Sequence, residues 1–242
     1  MKRRMNFLLR RVMGSVSRFY LSFGSSKACP ICGWTGHRFM IRKNPVKPAP
    51  SHICPSCGSS ERHRFAFLAL IGRFSARCEK LLHFAPEKCL EPWLRSISKE
   101  YVSADLCAPS AMLHMDICNL GLADNDFTAI WCSHVLEHIE NDRKAMSELF
   151  RVLRPGGCAV IMVPVYGDNT CENPEIKAPR ERLKHFRQED HVRLYGLDIT
   201  HRLGDVGFRV TTISTSGISD DQVSKYQLEY PSTREIFLCE KE

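Results

Sequence analysis

A chain of 242 residues with 43% hydrophobic composition is long enough to bury one full α/β core plus a small appendage. Up to Arg64 there are 13 Lys and Arg against one acidic residue, Glu61; the remainder carries 21 against 26, so the overall charge of +7 conceals a basic front end on a mildly acidic body. Such asymmetry points to an anionic partner (nucleic acid, membrane surface or phosphorylated substrate), or marks a solvated face. Twelve cysteines without the spacing of a disulfide framework argue against secretion and for a cytoplasmic setting, and no run of 18 apolar residues is present to span a membrane.

In residues 1–24, Met5, Leu8, Leu9, Val12, Met13, Val16, Phe19 and Tyr20 share one helical face, with Arg3, Arg4, Arg10, Arg11 and Arg18 largely elsewhere. Arg10 and Arg11 interrupt the apolar core that a signal peptide needs. A basic amphipathic helix of this kind either packs on its own protein or lies on an anionic bilayer, which would put the protein peripherally at the inner face of the membrane.

Residues 25–64 carry two tight pairs, Cys29-Pro-Ile-Cys32-Gly33 and Cys54-Pro-Ser-Cys57-Gly58, with 21 residues between Cys32 and Cys54. Four thiolates suffice for a closed tetrahedral Zn2+ site, each pair offers two sulfurs to one ion, and the glycine after it relieves the tight backbone. Disulfides or a redox dithiol are the alternatives. A bound ion would replace most of the core in so short a segment. Ser59 or Ser60 can then cap a linking helix over 65–79, leaving Arg62, His63 and Arg64 at the seam, where a substrate anion could be held.

The body, residues 80–242, alternates strands and helices. Leu81–Ala85 reads as a first strand, Tyr101–Leu106 as a second ending in Asp105, and His114–Ile117 as a third. An apolar run from Phe127 to Val135 is followed by Leu136, Ile139, Ala145, Met146, Leu149 and Val152 near helical spacing. A stop at Pro155-Gly156-Gly157 and a further strand, Cys158–Val165, complete a right-handed βαβ crossover in a parallel sheet. Asp105 lies 20 residues beyond Ala85, the span of one helix and one strand, and an acid there can accept from both hydroxyls of a ribose. The polar stretch 166–195 has the place of a lid above the strand ends.

The run SHVLEHIENDRKAMSELFRVLRPGG resembles the second half of the class I S-adenosylmethionine (SAM) dependent methyltransferase domain, of the methyltransferase type 11-like kind that includes quinone-biosynthesis enzymes. Its LEHI, RVLRPGG and following VP carry the likeness, which extends more loosely from about Lys80 to the C-terminus. The segment CPSCGSSERHR, in addition, is similar to one found in bacterial methyltransferases. The resemblance implies a Rossmann-like, doubly wound, seven-stranded sheet whose last strand is antiparallel and inserted between its neighbours. It implies SAM bound by Phe84, Ala85, Pro86 and Glu87 at the first turn, by Asp105 and Leu106 at the ribose, by Asp116 and Ile117 at the adenine, and by Ser133.

In that first turn the chain departs from the family: Ala85-Pro86-Glu87-Lys88-Cys89 contains no glycine, and Glu87 is expected to accept from the cofactor's ammonium group. His134, at a strand's carboxyl end, and His191, in the insertion, are the candidate proton acceptors. Arg62, Arg64, His138, Arg193 and Tyr195 are the candidate acceptor-binding residues, and Cys29, Cys32, Cys54 and Cys57 the zinc ligands. The resulting expectation is methyl transfer from SAM to an anionic acceptor, either RNA or a phosphorylated or lipid-linked small molecule. The competing expectation is a non-catalytic zinc-ribbon protein that binds RNA or a protein partner and carries a vestigial methyltransferase fold.

Overall fold

The computed structural model describes residues 21–43, 49–73 and 78–242. The amphipathic segment expected over 1–24 lies outside the described residues as far as Tyr20. Among the described residues no helix is long and apolar enough to cross a membrane.

The front module is built from two short hairpins. Lys27–Ala28 (β1) pairs antiparallel with Thr35–Gly36 (β2), and Met40–Arg42 (β3) with Ser51–Ile53 (β4). Both cysteine pairs fold alike: Gly33 N–H donates to Cys29 O and Gly58 N–H to Cys54 O, each at 3.0 Å. Both glycines take left-handed φ, +73° and +76°, which a side chain would oppose. Apart from cysteines the module's own core is little more than Phe39, with Trp34 and Ile31 against it.

Helix α1, Glu61–Leu70, carries the chain onto the body. Ser60 precedes it, with its backbone N–H donating to His63 Nδ1 at 3.0 Å. Phe65, Ala66 and Leu70 of α1 are buried against Leu81, Leu94, Trp131 and Val160, so the linking helix covers one face of the central sheet.

That sheet has seven strands: Cys78–Phe84 (β5), Ser98–Asp105 (β6), Leu113–His114 (β7), Phe127–Ser133 (β8), Leu153–Met162 (β9), Arg209–Ser214 (β12) and Glu235–Glu240 (β13). Between β9 and β12 come the small strands Cys171–Glu172 (β10) and Arg193–Leu194 (β11), which pair with each other in the insertion. The helices of the body are Glu91–Ser96 (α2), Asp142–Val152 (α3), Pro179–Phe186 (α4), Ile199–Asp205 (α5) and Asp220–Tyr226 (α6).

The order across the sheet is β12-β13-β9-β8-β5-β6-β7, with β13 antiparallel to both neighbours and β5 to β9 parallel. This is the inserted antiparallel last strand that the family resemblance implies. Near-continuous apolar strands are buried on both faces, as a parallel sheet requires. On the face opposite α1, Ala145, Met146 and Leu149 of α3 and Ile199 and Leu203 of α5 are fully buried. Each such leucine contributes about 1.5–3 kcal/mol.

The helix expected from Leu136 starts six residues later. Leu136–His138 makes one 3-10 turn, Ile139 is extended, and α3 begins at Asp142, where the Asn141 side chain accepts from Lys144 N–H at 3.1 Å. A strong cap at Asn141 wins over the apolar periodicity that Leu136 and Ile139 shared with α3. The break leaves backbone carbonyls facing inward, and these are met by a residue of the insertion described below.

Candidate functional site

Parallel strands end on one edge of the sheet, which is where open α/β folds bind ligands. After β5 the chain turns through Ala85 at φ +47°, with Ala85 N–H donating to Ala104 O at 2.9 Å. The glycine-free turn therefore holds the left-handed conformation for which a glycine would be chosen, at a cost on the order of 1 kcal/mol.

Glu87 closes the turn, with its carboxylate already engaged. Its Oε2 accepts from Trp131 Nε1 at 3.1 Å and lies 3.0 Å from His83 Nε2, while Oε1 lies 3.5 Å from His63 Nε2. Burial opposes its ionisation, but the hydrogen bonds from His63 and His83 prevail and hold it well below the usual carboxylate range. Because Ser60 N–H occupies His63 Nδ1, the His63 proton sits on Nε2, aimed at Glu87. Glu87 thus pins the turn to α1 and to β8.

At the end of β6, Asp105 Oδ1 accepts from Cys107 N–H at 2.8 Å and Ala108 N–H at 2.7 Å, and Leu106 beside it is 66% exposed. Asp116 Oδ1 accepts from Cys118 N–H at 2.8 Å, and Ile117 is buried below it. Ser133 Oγ, at the tip of β8, is buried and meets no hydrogen-bond partner among the described residues. Two acids at successive strand ends, an exposed apolar side chain between them and an orphaned hydroxyl fit the polar and adenine ends of SAM.

A second feature adjoins this edge, a cavity of about 510 Å3 between the front module, the end of β8 and the insertion. Arg42, Arg62 and His63 reach it from the module side, His134 and Glu137 from β8 and the turn after it, Arg187, Gln188 and His191 from the insertion, and Tyr230 and Thr233 from the C-terminal segment. His134 is itself at φ +56°, a second non-glycine residue in left-handed conformation at a strand end.

The His134 Nδ1 lies 3.0 Å from Glu137 Oε1. A carboxylate can only accept, so Nδ1 carries the proton and Nε2 offers a lone pair; Nε2 is buried and without a partner among the described residues. Burial, reinforced by the charge of Arg62, pushes His134 down to about 4, so the imidazole is neutral near pH 7. Burial works against ionisation of Glu137 too, yet the hydrogen bond from His134 Nδ1–H helps to hold it below the usual range.

The structure brings Arg62, His134, His138 and His191 to one cavity and sends the other acceptor-binding candidates elsewhere. Arg64 is fully buried: it donates to Tyr226 O and Ser59 O at 2.7 Å and to Gln227 O and His52 O at 2.9 and 3.0 Å, with its guanidinium 4.0 Å from the Phe39 ring centre. It clamps the module to the body instead of facing a ligand. Arg193 fills the gap before α3, donating to Leu136 O, Ile139 O and Glu140 O and pairing with Glu172 at 2.8 Å. Tyr195 is buried with its hydroxyl on Asp142 Oδ2 at 2.6 Å.

Four participants were missed: Glu137, Arg42, Arg187 and the orienting role of His63. Glu137 stands three residues after His134 in the LEHI run, the spacing that one 3-10 turn converts into contact. Arg42 and Arg187 are far apart in sequence and carried no local signal.

In the module, Cys29 Sγ lies 3.7 Å from Cys57 Sγ and Cys32 Sγ 3.7 Å from Cys54 Sγ, and all four sulfurs fall within 4.8 Å of one another. A tetrahedron of 2.3 Å Zn–S bonds puts sulfurs about 3.8 Å apart, so the set fits zinc. No disulfide occurs among the described residues.

Comparison with known proteins agrees with this geometry. Residues 78–161 match a family model described as a methyltransferase domain. A curated relative, an uncharacterized 37.1 kDa protein in transposon TN4556 of Streptomyces fradiae, is 31% identical over 100 residues, which make up 40% of this chain and 29% of that protein. The chain thus spans about three tenths of the relative's length.

Among solved structures, the [4+2]-cyclase SpnF superposes with a TM-score of 0.55 at 13% identity, covering 85% of this chain and 87% of that one. A SAM-dependent methyltransferase from Archaeoglobus fulgidus gives 0.51 at 14%, covering 76% and 95%. Haemonchus contortus phosphoethanolamine N-methyltransferase 2, in complex with phosphomonomethylethanolamine and S-adenosylhomocysteine, gives 0.50 at 16%, covering 72% and 52%. At such identities these likenesses establish the fold. Residues 78–161 thus match a methyltransferase-domain model, and the strand order with its inserted antiparallel strand is the fold of the methyltransferase structures that superpose on it; ahead of that fold the chain carries a zinc-ribbon-like segment with four clustered cysteines.

Proposed function

We propose that the protein transfers a methyl group from SAM to a small, anionic acceptor, most simply a phosphorylated one, held in the cavity between the front module and the strand ends. The observation that carries this reading is the His134–Glu137 pair, whose Nε2 is buried without a partner among the described residues, in a side chain that lines the same cavity as Arg42, Arg62 and Arg187. The volume, about 510 Å3, lies in the range of small-molecule sites, which favours such an acceptor over RNA. The Haemonchus relative, whose bound ligand is a phosphorylated amine, is an analogy in the same direction.

In this reading Asp105 and Leu106 hold the ribose, Asp116 and Ile117 the adenine, and Ser133 with the Phe84–Glu87 turn the methionyl end. Glu87 serves by fixing that turn instead of meeting the ammonium directly. SAM supplies an activated methyl group on a sulfonium leaving group. The protein's part is alignment of the acceptor with that methyl and exclusion of water.

His134 Nε2 takes the acceptor's proton, and Glu137 stabilises the imidazolium formed. His191 is the weaker candidate, because its Nδ1 donates to Phe186 O at 3.1 Å and the Gln188 amide meets its Nε2 at 2.6 Å. An anion paired with Arg62 would offset the positive charge that depresses His134, so acceptor binding would itself strengthen the base. The four-cysteine set holds a structural Zn2+ with no position left for a catalytic water.

The test is calorimetry of the purified chain with SAM and S-adenosylhomocysteine, followed by labelled methyl transfer to cell-extract fractions left intact, nuclease-digested or phosphatase-treated. Label that survives nuclease and is lost after phosphatase supports the proposal. Label lost after nuclease makes RNA the acceptor. Absence of SAM binding favours the non-catalytic zinc-ribbon protein with a vestigial fold.

A further inference from the structure

One wall of the cavity carries a cluster that proton transfer does not use in full. Glu137, His138 and His191 each offer a ligand atom within 4.8 Å of the other two. All three line the cavity, Glu137 and His138 from the turn after β8 and His191 from the insertion, so the cluster joins two separate segments.

The Glu137 side chain is 2% exposed. One of its oxygens serves His134; the other, Oε2, is buried and finds no hydrogen-bond donor among the described residues. A buried carboxylate oxygen left bare is costly, and either a donor or a cation is required to satisfy it.

The two imidazoles are oriented in a way that suits a cation. His138 Nδ1 lies 3.3 Å from the backbone oxygen of Asp190, and His191 Nδ1 lies 3.1 Å from that of Phe186. Carbonyl oxygens only accept, so both Nδ1 atoms carry the protons and both Nε2 atoms carry lone pairs. Metal-ligating histidines are held in this manner, with one ring N–H on a carbonyl or carboxylate and the other nitrogen free to ligate. The rings lie edge to face with centres 4.8 Å apart, one half-exposed and one buried. The Asp190 carboxylate, 3.3 Å from His138 Nδ1, adds negative charge beside the cluster.

We propose that Glu137 Oε2, His138 and His191 form a second metal site, distinct from the four-cysteine set, that takes a divalent first-row transition ion and leaves coordination positions open to the cavity. Two imidazoles and one carboxylate suit zinc, cobalt, manganese or iron(II), whereas the all-sulfur set suits zinc. Donors bonded to one ion at about 2.0–2.2 Å stand at most about twice that distance apart, so the three atoms, all within 4.8 Å of one another, need only a small adjustment to share an ion. The Gln188 amide, which now meets His191 Nε2, has to swing away. An ion seated there would bridge the β8 edge to the insertion and present a Lewis-acidic face to an anionic oxygen in the cavity.

The test needs neither SAM nor acceptor, so its outcome is separate from that of the methyl-transfer proposal. The full chain, loaded with zinc and then treated with a mild chelator that leaves the thiolate-bound ion in place, is titrated with Co2+ by calorimetry and visible absorption. The expected result is one further equivalent, with weak visible bands and no thiolate charge-transfer band, and an affinity at least about tenfold lower in His138→Ala and in His191→Ala. His138 is half-exposed, so its replacement retains the fold even if that of buried His191 does not. Saturation of wild type by Co2+ with no equivalent beyond the thiolate-bound ion would overturn the proposal, as would an uptake that His138→Ala leaves unchanged.

Discussion

Arg64 offers the sharpest test of how the two parts of the chain are joined. Its guanidinium is fully buried and donates to four backbone oxygens, two in the module (His52, Ser59) and two at the end of α6 (Tyr226, Gln227), while lying over the Phe39 ring. Arg64→Met keeps the stem's volume and removes every donor.

Each acceptor left buried without a donor costs about 1–3 kcal/mol, and loss of the ring contact adds roughly 1 kcal/mol. Against this stands relief of the desolvation of a buried cation, the effect that lowers the Arg64 pKa. The net expectation is a loss of about 3–5 kcal/mol, at the upper end for a single substitution. Urea unfolding of the zinc-loaded chain, followed by tryptophan emission, measures it. Arg64→Lys should recover little, because a compact ammonium cannot address oxygens on both sides as the fork does. A change below about 1 kcal/mol for Arg64→Met would refute the reasoning and reopen Arg64 as a ligand-binding residue.

Three further outcomes are expected. Asp105→Ala should weaken SAM binding about tenfold to a hundredfold, the equivalent of one charge-assisted hydrogen bond; Asp105→Asn, which keeps an oxygen for Cys107 N–H and Ala108 N–H, should also weaken it, and calorimetry showing equal affinity for wild type and both variants would remove Asp105 from the site. Protein purified without chelators should contain zinc bound by Cys29, Cys32, Cys54 and Cys57, and Cys57→Ser should lower thermal stability along with metal content; a disulfide found by mass spectrometry would count against this. Glu87 titrates well below its ordinary 4.5 in the folded state, so the stability it contributes is present above that value and lost as pH falls through the folded pKa. Glu87→Gln should therefore be less stable than wild type at pH 7, with the gap narrowing on acidification below 4.5, and a gap independent of pH would mean that the carboxylate's charge is not what matters.

The sheet was legible because its evidence is local: β-branched runs, helical periodicity and an acid at the end of a strand each report on a few adjacent residues. Pro155-Gly156-Gly157, expected to stop the helix ahead of a strand from Cys158 to Val165, instead lies inside β9, because the helix already ends at Val152 and the strand runs from Leu153 to Met162. Placing β13 between β9 and β12 needed the family resemblance, since nothing in Glu235–Glu240 names its neighbours. The clustering of the four cysteines was legible from spacing, because two Cys-x-x-Cys knuckles need the same tight turn, and both glycines take it.

What spacing could not convey was the direction of long side chains. Arg62 and Arg64 are two residues apart near the start of one helix, yet one lines the cavity and the other is buried over Phe39. Arg193 looked like a ligand-binding residue and instead fills carbonyls exposed by a break before α3, a break that the periodicity of Leu136 and Ile139 concealed. Ala85 in the glycine's conformation was likewise invisible, because sequence reports a residue's preference and not the strain that its neighbours impose. The exposed helix α6 buries none of its residues fully and gave no periodic signal.

The most direct test of the account replaces His134 and compares cofactor binding with turnover. His134→Ala should bind SAM as wild type does, because the side chain lines the cavity proposed for the acceptor, and should lose at least about two decades of methyl transfer, the lower bound for a positioned general base. His134→Asn should not restore the rate, since an amide cannot take the proton. Turnover of His134→Ala within about threefold of wild type would contradict the account and leave alignment alone as the source of catalysis.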